Sequence, residues 1–299
     1  MTPIELLSEL SKQTDDFNER NIIETLALVS GHKKIMRLSI GDKSEASIRE
    51  KMTRLGLFCF RSDYRQKPSY TSSLGDVYTE LVPFRENNDF NYTLMVSTTL
   101  ELAREAIYLE DNSENLEKLS SMLGYPDCCI RSYEKIGPTT DWLQILLENS
   151  KPNNMYPYQA NKLSYLFSGQ TFFYDYFPCS LHCEGTINIS KEMSKMMLNN
   201  GLTHYADNIK SAMLDPILIL DGILIQLVDC SIHNNYCELN YDLSHSKRWL
   251  WRLHKGIENH FFWNSNTLKR GDGMLECYQD EKYLGSIEQS QTQRLLVFR

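Results

Sequence analysis

The 299-residue sequence has no uninterrupted apolar stretch approaching the roughly 18 residues that a membrane-spanning helix requires. Its longest apolar run, Pro216 to Val228, is broken by Asp221-Gly222. No membrane partner is expected. Nor is there a block of basic residues. Lys33-Lys34 and Lys247-Arg248 are short, the net charge is −8 and the pI about 5.5. Nonspecific nucleic-acid binding draws on clustered Lys and Arg, so nucleic acid is not an expected partner. The amino terminus, Met1 to Leu7, carries Glu5 and no apolar core. It does not read as a secretion signal. The sequence also lacks a Walker loop, a Gly-x-Gly-x-x-Gly turn, a Gly-x-Ser-x-Gly elbow and a His-Glu-x-x-His helix. Most familiar nucleotide and hydrolase chemistries therefore lack their marks.

With a signal and a span both missing, a cytoplasmic protein is the default. There, clustered cysteines serve more often as metal ligands or redox thiols than as structural disulfides. Hydrophobic content of 41% and charged content of 23% belong to a globular chain able to bury a core.

Apolar spacing predicts amphipathic helices over residues 3–30, a strand over Lys34–Ile40, a helix over Lys43–Leu55 and a short strand over Leu57–Arg61. Residues 62–76, polar and containing Pro68, read as a loop. Val77–Phe84 and Tyr92–Ser97 read as strands. Thr98–Leu123 is helical with a break at Asp111-Asn112-Ser113, and Trp142–Glu148 and Glu184–Asn200 are helical. Ile217–Val228 is a hairpin, Tyr236–Leu243 a further strand and Trp249–Ile257 a helix. Met274–Gln279, Tyr283–Ile287 and Leu295–Arg299 close the chain as strands. Without a regular βαβ rhythm, the expected class is α+β. It comprises an N-terminal mixed helix/strand layer (1–110), central cysteine-bearing helices (111–212) and a β-rich C-terminal part (213–299), three parts that could form one continuous domain.

Four of the eight cysteines fall in two short windows, Leu123-Gly-Tyr-Pro-Asp-Cys-Cys129 and Phe177-Pro-Cys-Ser-Leu-His-Cys-Glu184. Each reads as a proline turn, then thiols, then a helix. Asp127 and Ser180 are candidate caps, since their oxygens can accept the unpaired N–H groups of a first turn. Cys128, Cys129 and Cys183 would then stand in first helical turns, where the positive dipole end favours thiolate. Cys128, Cys129, Cys179 and Cys183 could together bind a metal: iron or an iron–sulfur cluster, with zinc as the alternative. Adjacent helical side chains point about 100° apart, so Cys128 and Cys129 need not reach one ion, and a three-thiolate site is a further option.

The same thiols could instead perform redox or nucleophilic chemistry, with His182 as a candidate catalytic base or a further ligand. The remaining reading is that they simply pack. Cys230, His233 and Cys237 form a weaker metal-spacing candidate, whereas Cys59 and Cys277 look like core. His245, His254 and His260 are scattered candidates for proton transfer. Arg37 and Arg61, on strands expected to adjoin, could hold an anion. The aromatic stretch Asn161–Tyr176 reads as packing near the thiols.

Taken together, Leu123 to Cys129 and Pro178 to Cys183 resemble the paired signature of an uncharacterised prokaryotic protein family, a domain of unknown function. The resemblance covers residues 35–200. It implies that both cysteine windows belong to one site and carries no established activity. The expectation is a cysteine-ligated metalloprotein, an enzyme acting on a small molecule or peptide. The alternatives are a thiol–disulfide redox protein and a non-catalytic protein with a structural zinc.

Overall fold

The computed structural model describes residues 2–71, 77–83, 90–135, 142–150, 155–168, 173–220, 223–233, 238–241, 247–250, 261–270, 274–290 and 293–299. The fold is α+β with a β-rich C-terminal part. Contacts divide the chain into two compact units, one formed by 1–138, 173–176 and 188–203, the other by 139–172, 177–187 and 204–299.

The first unit begins with helices α1 (Pro3–Gln13) and α2 (Glu19–Val29), followed by strand β1 (Ile35–Ile40), helix α3 (Asp42–Arg54) and strands β2 (Phe58–Thr71), β3 (Val77–Pro83) and β4 (Tyr92–Ser97). Helices α4 (Leu100–Asp111), α5 (Leu116–Met122) and α6 (Asp127–Glu134) come next. The strands form one antiparallel sheet in the order β1-β4-β2-β3. Central β4 is buried at every position, as a strand covered on both faces must be. On one face Thr25 of α2 reaches Met36, and Glu45 of α3 accepts from the Tyr92 hydroxyl at 2.7 Å. On the other, Ile35 and Met95 pack with Ala103, Ala106 and Ile107 of α4.

Three expectations change here. Residues 62–71 are not loop, because β2 runs on through them to pair with β3. Pro68 lies beside a register shift, where a missing N–H is tolerated, and β4 has already ended its pairing at Arg65. Arg37 and Arg61 do not lie on adjoining strands, since β4 separates theirs. Each faces its own carboxylate, Glu110 at 3.6 Å and Glu45 at 3.5 Å, so no joint anion site forms.

The second unit contains helix α7 (Trp142–Asn149) and the short α8 (Tyr165–Ser168). Helix α9 (Glu184–Asn199) begins in it, and α10 (Thr203–Leu214) leads to the strands. These are β5 (Ile217–Leu220), β6 (Ile223–Gln226), β7 (Ser231–His233), β8 (Glu238–Asn240), β9 (Lys247–Leu250), β10 (Thr267–Arg270), β11 (Met274–Gln279), β12 (Lys282–Glu288) and β13 (Gln293–Leu296). They make two antiparallel sheets, β12-β11-β10-β8-β7 and β13-β5-β6-β9. Leu218, Leu220 and Ile225 of one sheet share a core with Leu239, Leu268, Leu275 and Ile287 of the other.

The predicted hairpin is present, with Leu220 opposite Ile223. Trp249 and Leu250 belong to β9, paired to β6, rather than to a helix, and 251–260 lie outside the described residues. A strand of four residues is too short for periodicity to separate it from a helix. Among the described residues, no helix is long and apolar enough to cross a membrane.

Candidate metal centre

The first cysteine window is a corner between two helices. Gly124 takes φ +85°, and α5 closes over it with Gly124 N–H donating to Ser121 and Tyr125 N–H to Ser120, at 3.0 and 3.1 Å. Nothing crowds a β-carbon at Gly124, so the left-handed backbone alone calls for glycine. Leu123 is buried, and Tyr125 packs on Tyr176 with ring centroids 4.9 Å apart. Pro126 then occupies the N-cap of α6, and no side chain caps the helix. The expected capping by Asp127 is therefore corrected. Asp127 is the first helical residue, where its charge still complements the helix dipole. Cys128 and Cys129 do fall in the first turn, Cys128 exposed and Cys129 buried.

The second window is an irregular loop that ends on α9. Ser180 does not cap this helix, because it sits one turn too early. Its hydroxyl accepts instead from His182 N–H at 3.3 Å. The capping position belongs to Cys183, which thus precedes the first turn and does not lie within it. Its carbonyl receives Ile187 N–H at 2.9 Å and its Sγ receives Thr186 N–H at 3.5 Å. A thiolate accepts such a bond better than a thiol and favours the dipole's positive end.

The carboxyl end of α7 holds the loop. Asn149 Nδ2 donates to Cys179 O at 3.1 Å, and Ser150 Oγ receives Leu181 N–H at 2.8 Å. Arg294 of β13 donates to Leu147 O at 3.0 Å, which fixes the last turn of that helix. These supporting residues carry no local sequence signal, since each acts across at least 30 positions.

The ligand atoms of Cys128, Cys129, Cys179 and Cys183 all lie within 4.8 Å of one another, and this group could hold a metal ion. Around one ion with Zn–S bonds of about 2.3 Å, tetrahedral geometry sets sulfurs about 3.8 Å apart. The two spacings differ by about 1 Å at most. The 100° divergence of Cys128 and Cys129 does not keep their sulfurs more than 4.8 Å apart here, since rotation about Cα–Cβ sets where each sulfur lies. His182 is not in this group; its ring lies 5.0 Å from that of Tyr156.

The other sulfur candidates differ in kind. Cys277 is fully buried and Cys59 half-buried; burial pushes their thiols up to about 12 and about 11. Cys230, half-buried against the core of the second unit, is likewise pushed up to about 12 by burial. His233 is exposed, while Cys237, His245, His254 and His260 lie outside the described residues. Phe173, Tyr174 and Tyr176 are buried, as packing requires. With Tyr125 they line a cavity of about 40 Å³, room for a few waters.

No known family model, curated protein or solved structure matches the chain.

Proposed function

We propose that this is a metal-binding protein whose four thiolates, Cys128, Cys129, Cys179 and Cys183, hold a single tetrahedral ion, zinc or mononuclear iron. The observation that carries this reading is the mutual approach of the four sulfurs within 4.8 Å. An iron–sulfur cluster interposes its own iron and sulfide between the cysteines and needs them farther apart, so the compact set favours one ion. Four protein ligands close a site, and closed thiolate sites serve structure more often than catalysis. The non-catalytic reading thus leads.

A second reading is favoured by the exposure of Cys128. If that ligand yields its place, Cys129, Cys179 and Cys183 leave an open position at which a small molecule or peptide could be activated, with His182 as the base.

Elemental analysis with a visible spectrum, on protein purified without oxygen, tests both readings beside a variant lacking Cys179 and Cys183. About one zinc or iron per chain, lost in the variant, supports the single-ion centre. Inorganic sulfide together with several irons would replace it with a cluster, and metal-free protein would remove it. Metal-dependent turnover abolished in His182→Ala, with metal retained, would favour the second reading.

A further inference from the structure

We infer that Cys128 is the oxidation site of this centre, its substrate class peroxides, and that it closes a disulfide with Cys179 that expels the ion. The inference rests on the metal reading above and adds which sulfur reacts, with what and in which order. Burial is graded across the group: Cys128 is exposed, Cys179 half-buried, and Cys129 and Cys183 buried. A metal keeps its ligands as thiolates, so exposure rather than acidity decides which sulfur a polar oxidant meets. That sulfur is Cys128.

The resolving partner follows by geometry. Cys129 is adjacent to Cys128, and neighbouring Cα atoms stand about 3.8 Å apart, short of the roughly 4.4–6.8 Å that disulfides span. Cys183 caps α9 through the Thr186 N–H bond, and drawing its sulfur away would uncap a 16-residue helix. Cys179 lies in the loop before that cap, is half-buried, and has its sulfur within 4.8 Å of Cys128. It is the partner that costs the fold least.

In the first step the Cys128 thiolate attacks one oxygen of hydrogen peroxide. An S–O bond forms, the O–O bond breaks, and hydroxide leaves with a solvent proton as water. The Cys179 thiolate then attacks the sulfenic sulfur, an S–S bond forms, and the second hydroxide leaves as water with another proton. Two electrons pass from two thiolates to one peroxide. The ion, left with two of its four ligands, departs as a dication.

The test treats the metal-loaded, full-length protein with hydrogen peroxide. A chromogenic chelator follows the ion while remaining thiols are trapped with iodoacetamide and mapped by mass spectrometry. About one ion released per Cys128–Cys179 disulfide, with Cys128 the first thiol lost to trapping, is the expected result. In Cys128→Ser reloaded with zinc, release should slow several-fold. Should that variant fail to hold metal, the order of thiol loss in the unaltered protein still decides. Loss beginning at Cys129 or Cys183, another disulfide pair, or release without any disulfide overturns the inference and leaves the metal reading standing. Protein that binds no metal removes both.

Discussion

The sulfur of Cys183 accepts the backbone N–H of Thr186 at 3.5 Å, so one cysteine both stands in the four-thiol group and caps α9. Serine is among the best capping residues and alanine among the poor ones, the difference amounting to about 1 kcal/mol. Cys183→Ser and Cys183→Ala should therefore both lose metal, yet differ in stability. With metal removed from both by chelator, the alanine variant should denature earlier in urea by about 1 kcal/mol. Equal stabilities would remove the capping role.

Raised thiol pKa values give the pH dependence its sign. Cys277 titrates near 9 in an open chain and is pushed up to about 12 when folded, because burial disfavours its thiolate. The protonated form is the one the fold prefers, so this contribution is complete below about pH 9 and is lost as pH rises towards 12. Cys230 acts in the same direction over the same window. Stability followed by denaturant midpoints should fall across pH 9–12, and Cys277→Ala should flatten that fall. A midpoint rising with pH over this range would contradict the assignment.

Arg65, only 1% exposed, donates both Nη2 contacts to Asp42 at 2.8 and 2.9 Å and Nη1 to Phe90 O at 2.6 Å. Asp42 is half-exposed, which discounts the ion pair itself. The asymmetry matters more: removing the acid leaves a buried cation without its carboxylate. Asp42→Ala should cost about 1–3 kcal/mol, measured by chemical denaturation. A neutral result would mean that Arg65 finds other compensation.

Phe298 is buried, with its ring centroid 6.0 Å from that of Tyr156. Phe298→Ala should cost about 3–5 kcal/mol. A loss below 1 kcal/mol in thermal or urea unfolding would show that the site collapses without a cavity.

How much of this could be read beforehand differs from residue to residue. Gly124, Pro126 and the two cysteine windows were legible because turns and helix starts are local. The strand Tyr92–Ser97 and the hairpin at Ile217 were legible from their apolar runs. Beyond Arg61, polar composition hid the continuation of β2, which meets β4 once more at Arg65 and otherwise pairs with β3. The gathering of Cys128 and Cys129 with Cys179 and Cys183 is a long-range event. Its sequence hint was repetition of context, and no spacing rule turns two windows about fifty residues apart into a distance. The capping role of Cys183 escaped because serine three positions earlier looked chemically better suited.

The bond from Arg294 to Leu147 joins residues 147 positions apart, and Tyr156 exchanges backbone bonds with Val297 and Arg299. During synthesis all four motif cysteines leave the ribosome well before β13 exists to brace α7 and the loop it holds. Until then the loop lacks that brace, and on the metal reading its thiols would meet soft cations before the fold is complete. Metal identity would then be decided in part by timing. Chains arrested at increasing lengths and assayed for bound metal would reveal whether the ion enters before or after the last strand docks.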